Sequence, residues 1–281
     1  MSNTENCLLE IPVEYLPKLR HAYKINWPEH ILAFSFLDKM IKRFKERPEQ
    51  RKIVKMYSVD GKLEEDATFI AVVQDYTVVV ATLDLSFNRL SRGLKGLNFN
   101  TVKKFSGLRE IYKSSLLEFI KNEGLITLVD KDMIMVHMSC EDAKNLNYEV
   151  PKGLVIRELN ISDIDKVNSA WPNRYNGSDK LLSYCIDTNF SLGLIDEKSG
   201  ELLAWCLEND VNSLFVLQVD ENHLRKGYAT IITKALSKLI ADERGLDINA
   251  NIICSNVKSM GLFEKLSFKV IDNNSFVIVR N

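Results

Sequence analysis

The sequence predicts an α/β (α+β) protein in which strands alternate with helices. Apolar runs of strand length alternate along the chain with amphipathic helical stretches and turn signals. Near the C-terminus a strand, a charged loop, a long helix, a second strand and a short helix follow one another. The 281 residues are enough for two domains with buried cores, and the net charge of −1 offers no overall field for nucleic acid.

The elements before the C-terminal motif follow from local patterns. The predicted helices are 13–24, 29–44, 105–121, 162–169 and 178–188, the last two opening with a serine N-cap and an acidic first turn. The predicted strands are 52–59, 67–74, 77–83, 133–138, 154–158, 191–196 and 202–208. The turn-forming run Pro151-Lys152-Gly153 is the best boundary, and it predicts an N-terminal α/β domain over 1–150 and a C-terminal domain over 151–281.

The most informative stretch begins with an apolar strand from Leu214 to Val219, which leads through a charged turn to the loop 224–229 and an amphipathic helix. The first amide groups of a helix have no partner within the helix, and the helix dipole is positive there. Gly227 allows close approach of a ligand to the backbone, while Arg225 and Lys226 add positive charge. This junction predicts an anion site, although a plain strand–turn–helix is an equally good interpretation of the loop alone.

A second strand over 248–253 and a short helix follow, and Asn256, Ser259 and Phe263 share one face of that helix. This order, with its basic-basic-Gly-x-Ala loop, resembles the GNAT superfamily of acetyl-CoA-type N-acyltransferases. The resemblance implies a GNAT fold, with a mixed central sheet flanked by helices. It also implies a degenerate GNAT-like α/β domain over 1–150, since no such loop precedes the predicted helix 105–121.

The resemblance also assigns residues to an acyl-CoA co-substrate. Gln218 and Val219 would meet the pantetheine arm, and Asn256 would lie beside the thiol end. Those assigned to the pyrophosphate are Leu224, Arg225, Lys226, Gly227, Tyr228 and Ala229. Leu224 replaces the usual Arg or Gln and offers only its amide. Phe263 stands where many relatives carry a tyrosine that protonates the departing thiolate, so Ser259 is the nearest hydroxyl for that role.

A narrower resemblance is to the glycine N-acyltransferase-like family. Its landmarks occur here in order before the CoA loop: Asn168, Trp171, Asn189, Ser191, Gly193, Gly200, Leu202, Ala204 and Trp205. The resemblance implies transfer of an acetyl or larger acyl group to the amine of glycine or another small acceptor. Ser213 matches the position of the family's glutamate base, so the nearby Glu208 and Asp210 become the candidate bases. A CoA-binding protein with weak or no activity, or a protein or peptide N-acetyltransferase, are the alternatives.

Other chemistries find no support in the sequence. Neither a phosphate-binding loop of the nucleotide hydrolases nor a dinucleotide-binding glycine pattern is present. The four histidines form no metal-binding pattern, so no metal is expected. The N-terminus has acidic residues and no basic segment before an apolar stretch, which predicts a cytoplasmic protein, although the resemblance leaves a mitochondrial location open. Expected partners are acyl-CoA and a small amine, not nucleic acid or membrane, and the oligomeric state stays open.

Overall fold

The structure, a computed structural model, describes residues 7–281. It divides into two compact units. Unit 1 comprises the chain up to Met135 together with Ile271–Asn281, and unit 2 comprises Val136–Val270.

Helices and strands alternate through both units, as the sequence predicts. The helices are α1 (Leu16–Ala22), α2 (Ile31–Glu46), α3 (Leu63–Asp66), α4 (Asn88–Leu94), α5 (Lys113–Asn122), α6 (Cys140–Lys144), α7 (Ile164–Ala170), α8 (Ser178–Thr188), α9 (Tyr228–Arg244) and α10 (Val257–Lys265). The strands are β1 (Leu8–Glu10), β2 (Val54–Val59), β3 (Phe69–Val73), β4 (Thr77–Ala81), β5 (Lys104–Arg109), β6 (Ile126–Met138), β7 (Leu154–Glu158), β8 (Ser191–Asp196), β9 (Leu202–Glu208), β10 (Ser213–Val219), β11 (Ile248–Ile253) and β12 (Lys269–Arg280). No helix among the described residues has the length and apolar character needed to cross a membrane.

The sheet of unit 1 runs in the order β1-β2-β3-β4-β5-β12. Its pairs are antiparallel except for β4 and β5, which are parallel. The last strand of the chain belongs to this sheet because β12 pairs with β5, for example Val277 with Phe105. Both of these side chains are fully buried, so the pairing also closes the core of unit 1.

The sheet of unit 2 runs in the order β11-β10-β9-β8-β7, again antiparallel except for one pair, β10 with β11. Helix α9 lies against β8, β9 and β10. Its residues Ile232, Leu236 and Ile240 are fully buried, which is the apolar stripe that the sequence predicts for this helix. Each unit is therefore a mixed sheet with helices packed on it, and the predicted α/β class is confirmed.

Local patterns misassigned several elements of unit 1. The predicted helix 105–121 is wrong over its first part, which forms strand β5, and only α5 is helical. The residues of β5 are a strand because β4 and β12 hydrogen-bond to its two edges, a pairing between distant segments that overrides local preference. Strand β12 and helix α4 were not predicted, and β6 begins seven residues before the predicted start at Met133.

The division into units differs from the boundary predicted at Val150. Residues 136–150 lie in unit 2, where the Lys234 side chain donates to the Asn147 carbonyl (2.9 Å) and the Cys140 amide donates to Asp247 (2.8 Å). The segment after β6 is thus held by helix α9 and the turn that follows it. A chain cut at Pro151 would lose these contacts, and it would separate β12 from its partner β5.

Candidate functional site

The site that the sequence singles out begins where β10 leaves β11. The two strands pair over two residue pairs, Ser213 with Asn249 and Leu214 with Ala250. A bulge in β10 follows, and within it Val216 adopts a left-handed conformation (φ 50°), which is rare for a β-branched residue. Past the bulge β10 pairs with β9, on its other side, and with no other strand in the described part of the chain. Parallel strands that separate in this way leave backbone groups on their facing edges available to an extended ligand.

The predicted pantetheine contacts lie on the separated part of β10. Gln218 pairs with Trp205 of β9 and Val219 with Ala204, so both are past the bulge, and both are half-buried. The bulge was not predicted, and nothing in the apolar run around Val216 could have indicated it.

The loop after β10 presents unpaired backbone donors. A short 3-10 turn, Glu221–His223, precedes the segment, and α9 begins at Tyr228. The amides of residues 224–230 make no hydrogen bond to any described residue. Arg225 (φ 60°) and Gly227 (φ 81°) are both left-handed, the kind of alternation that turns successive amides toward one side. Together with the dipole of the 17-residue α9, these amides form a site for an anion.

The side chains of the loop agree with this interpretation. Arg225 and Lys226 are exposed, and no carboxylate within residues 7–281 is bonded to either of them. Leu224 is 54% exposed and offers no polar side-chain atom, as predicted. A Cβ on Gly227 would meet no neighbouring atom, so the conformation, rather than crowding within the protein, is what requires glycine there.

The residues predicted near the thiol end lie on α10. The side-chain oxygen of Asn256 accepts the Ser259 amide (3.1 Å) and caps this helix, so that oxygen is committed to the fold. Ser259 is half-buried. Phe263 is 3% exposed and packs edge-on against Phe268, with ring centroids 4.9 Å apart. Asn256 therefore caps a helix and Phe263 packs in the core, and neither contact requires a ligand. The ligand roles predicted for Asn256, Ser259 and Phe263 stay predictions.

Of the two candidate bases, Glu208 is fully buried. Its carboxylate pairs with Arg244 (3.2 Å) and accepts the Phe190 amide (3.1 Å), while the Arg244 guanidinium lies 4.4 Å from the centre of the Phe190 ring. This ion pair ties β9 to the C-terminal end of α9. An acceptor amine could reach Glu208 only if the pair opened, so the environment favours a structural role.

Asp210, the other candidate base, follows β9 and is half-buried. It accepts hydrogen bonds from the Tyr184 hydroxyl (2.8 Å) and the Asn189 side-chain amide (3.2 Å). These two partners orient the carboxylate. Asp210 is less buried than Glu208, and its role as a base stays a prediction.

The position matched to the family's glutamate carries a polar network instead. The buried Ser213 hydroxyl donates to the Asn249 side-chain oxygen and accepts from the Asn251 side-chain amide (2.7 Å). Asn249 in turn donates to the carbonyls of Val211 and Asn212, both at 3.1 Å. The network joins β10 to β11 just before they separate. The two asparagines alternating within an apolar strand were the sequence signal for it.

Comparisons with known proteins show which family model and which solved structures this chain resembles. The family model described as FR47-like protein matches residues 191–277, which include β8 to β11 and the loop. No functionally curated protein matches the sequence. The chain is similar in structure to a Drosophila protein over 98% of both chains, with 20% identity and a TM-score of 0.87.

Two further similar structures are those of GNAT proteins. A tandem GNAT protein from the clavulanic acid biosynthesis pathway is 10% identical, with 96% of this chain and 97% of that chain covered and a TM-score of 0.56. A GCN5-related N-acetyltransferase from Sphaerobacter thermophilus is 11% identical, with 86% and 84% covered and a TM-score of 0.51. The predicted GNAT fold is confirmed, and the likeness to a tandem protein agrees with a GNAT-like arrangement in each unit.

Proposed function

We propose that this protein is an N-acyltransferase that moves an acetyl or larger acyl group from CoA to the amine of a small acceptor, such as glycine or another amino acid. The observation that carries the proposal is the set of unpaired amides at residues 224–230, directly after the strand that separates from β11. An anion and an extended chain joined to it would find complementary backbone groups in one continuous stretch. Acyl-CoA has these two parts, a pyrophosphate and a pantetheine arm.

In this proposal the loop supplies binding and the strand supplies orientation. The pyrophosphate accepts hydrogen bonds from the loop amides, with Arg225 and Lys226 adding charge. The arm runs along β10 past Gln218 and Val219, and a backbone amide near Val219 polarises the thioester oxygen. Holding amine and thioester at attack distance supplies much of the rate acceleration. The amine then attacks the carbonyl carbon, loses a proton, and the CoA thiolate leaves.

The proton transfers are assigned as follows. Asp210, directly or through water, removes the proton from the amine, since most of the acceptor is protonated at neutral pH. The thiolate leaves as the anion or takes a proton from Ser259. A thiol is acidic enough to leave without a general acid, so the absence of a tyrosine at Phe263 slows the reaction by no more than about 100- to 10,000-fold. Phe263→Tyr should raise turnover if chemistry limits the rate, and no gain would leave Phe263 as packing.

Two other functions remain as alternatives because both use the same loop. The protein could bind CoA with little or no transfer, which the buried Glu208 and the missing tyrosine favour. It could also acetylate peptides or proteins. The similar structures include N-acetyltransferases, but this likeness supports no particular acceptor for this chain.

Isothermal titration with acetyl-CoA and a longer acyl-CoA, followed by a thiol-release screen over amino acids and peptides, separates the three functions. Binding with turnover on an amino acid supports the proposal. Binding without turnover on any acceptor supports the CoA-binding protein, and turnover on peptides alone supports the peptide acetyltransferase. Asp210→Asn should reduce turnover while preserving CoA affinity. The cytoplasmic location stays a proposal that fractionation of cells would test.

A further inference from the structure

The imidazole of His223 stands beside the phosphate-binding loop with a defined partner on each nitrogen. Its Nδ1 is 3.2 Å from the Lys226 Nζ, and its Nε2 is 3.7 Å from a Glu201 oxygen. The ring lies nearly parallel to that of Tyr228, the first residue of α9, with centroids 6.4 Å apart and an interplanar angle of 24°. His223 therefore contacts the loop, the helix start and the turn between β8 and β9.

The turn that carries His223 is also held by Lys166, which shares the Glu201 carboxylate with the ring. The Lys166 ammonium lies 2.9 Å from Asp220 and 3.4 Å from Glu201. Asp220 also accepts the Asn222 amide (3.0 Å) at the start of the 3-10 turn. The hydrogen bond from Lys166 lowers the pKa of the Asp220 carboxyl, with further help from Asn222, so Asp220 stays charged at neutral pH. The backbone turn that carries His223 is thus held in part by contacts that do not involve the ring.

The geometry identifies the tautomer of the neutral ring. A lysine ammonium has no acceptor, so in the contact with Lys226 the Nδ1 atom of His223 must accept. The ring hydrogen then sits on Nε2 and faces Glu201. When the ring gains a proton, Nδ1 becomes a donor and can no longer accept from Lys226. The two groups are then like charges at close range, while Glu201 stabilises the imidazolium.

We propose that His223 is a positioning residue that couples phosphate binding at residues 224–230 to protonation. In the neutral state it holds Lys226, and in the protonated state it releases Lys226 to the bound phosphate and adds a positive charge beside the loop. This inference rests on the proposed acyl-CoA site. The charged and titratable groups that face the ring are Lys226, Glu201, Tyr228 and Asp220, whose carboxylate lies within 4.8 Å of a ring nitrogen and is paired with Lys166. The exposed Glu221 and Arg225 flank it along the chain.

The sign of the effect follows from linkage. A bound anion favours the protonated ring, so affinity is higher for the protonated ring than for the neutral one and rises as pH falls. The same coupling means that binding takes up protons. Contacts between partly exposed charges are worth up to about 1 kcal/mol, so we expect protonation of the ring to raise affinity about two- to five-fold.

Titration with dephospho-CoA isolates this effect. The 3′-phosphate of CoA is a monoester that itself titrates near about pH 6, whereas the pyrophosphate of dephospho-CoA keeps its charge in mildly acidic and neutral solution. Calorimetry at several pH values, in buffers of different ionisation enthalpy, gives both the affinity and the number of protons taken up. The wild-type protein should bind more tightly at lower pH and take up protons.

His223→Gln keeps an acceptor for Lys226 and removes the titration, so its affinity should vary little with pH. His137→Gln is the matched control, because His137 pairs with Asp247 (2.8 Å) in the same unit and has no contact with the loop among the described residues. The control should keep the wild-type pH dependence. Equal pH dependence in His223→Gln and the wild type would overturn the inference.

A second measurement needs no variant. The NMR titration of the His223 ring should move to higher pH when dephospho-CoA binds, and an unmoved midpoint with saturated ligand would also overturn the inference. Failure of the proposed function gives a different result. In that case neither dephospho-CoA nor acetyl-CoA binds at any pH, in the wild type or in either variant.

Discussion

Both units contain a parallel strand pair whose first strand leads through a loop into a helix, and the two loops differ in what occupies their amides. In unit 1 the elements are β4, β5 and α4, and in unit 2 they are β10, β11 and α9. In each, the residue before the helix is left-handed, Phe87 (φ 62°) in unit 1 and Gly227 (φ 81°) in unit 2. The fold therefore presents a helix N-terminus at the same place twice.

In unit 1 side chains of the chain itself lie at this terminus. Asp84 accepts the Ser86 amide and the Ser86 hydroxyl, both at 2.8 Å, and the Ser86 hydroxyl oxygen accepts the amide of Asn88, the first residue of α4 (3.3 Å). Burial alone would raise the pKa of the Asp84 carboxyl, but these hydrogen bonds outweigh burial and hold the pKa below its usual value. An internal anion thus occupies the position that the loop of unit 2 leaves open.

A side chain also caps the strand of unit 1 where the loop begins. The Tyr112 hydroxyl donates to the Thr82 carbonyl (3.1 Å), directly after β4. Tyr112 is 4% exposed, and its ring lies 6.0 Å from that of Phe87. Around this point the amides of Leu83, Asp84, Ser86 and Asn88 all donate to groups of the chain itself, so unit 1 offers a ligand fewer loop amides than unit 2 does. The comparison teaches that the GNAT fold alone does not make an anion site, since a few local side chains determine whether the amides stay available.

The largest expected effect comes from Gly227→Val, which places a side chain over the amides of the open loop. We expect acyl-CoA affinity to fall by more than about 100-fold, because the loss of several charge-assisted hydrogen bonds combines with strain at φ 81°. Calorimetry with acetyl-CoA measures the change.

Gly153→Val is the matched control, since Gly153 has φ 83° and equally open surroundings but lies before β7. Both variants should lose about 1–2 kcal/mol of unfolding free energy from backbone strain. Equal CoA affinity in a folded Gly227→Val protein and in the control would contradict the placement of the site.

A carboxylate can also be moved from one loop to the other. Leu224 stands three residues before Gly227, as Asp84 stands three residues before Phe87. Leu224→Asp should bring a competing anion to the loop of unit 2 and weaken acyl-CoA binding by about 10- to 100-fold. Leu224→Asn has nearly the same shape without the charge and should lose much less. Similar losses of acyl-CoA affinity in both variants would show that the changed side-chain shape, and not the added negative charge, weakens binding.

Removing the carboxylate from the loop of unit 1 tests whether a second contact also keeps a ligand out of that loop. Asp84→Ala removes the acceptor of the two Ser86 bonds in the loop before α4 and should lower the unfolding free energy of unit 1 by about 1–2 kcal/mol, whereas Asp84→Asn keeps an acceptor and should cost less. Thermal and denaturant unfolding measure both. Added to Gly227→Val, Asp84→Ala should not restore CoA binding, because Tyr112 still caps β4. Recovered binding would mean that unit 1 retains a usable site.

The smallest expected effect is a dependence of stability on pH. Because the pKa of Asp84 is lower in the folded protein than in the unfolded chain, its contribution is present above the ordinary carboxyl pKa and is lost as pH falls through the folded value. Unfolding of the wild type and of Asp84→Asn should therefore converge in acid, below about pH 4. A stability difference that stays constant with pH would rule out the charge as its cause.

The loop of unit 2 was predictable because its determinants are local. Gly227, the basic pair before it and the apolar stripe of α9 lie within one short stretch of chain, and helix-start chemistry depends on neighbours in sequence. The strands from β7 to β10 were predictable for the same reason, since their apolar runs lie between clear turn signals.

The tertiary structure decided what depends on partners distant in sequence. Residues 104–109 form a strand because β12, the last strand of the chain, pairs with them. Glu208 is a member of an ion pair because Arg244, 36 residues later, lies beside it. Val216 bends β10 away from β11 in a stretch whose residues favour a regular strand. Local preferences amount to tenths of a kcal/mol per residue, so pairing and burial between remote segments outweigh them wherever the two disagree.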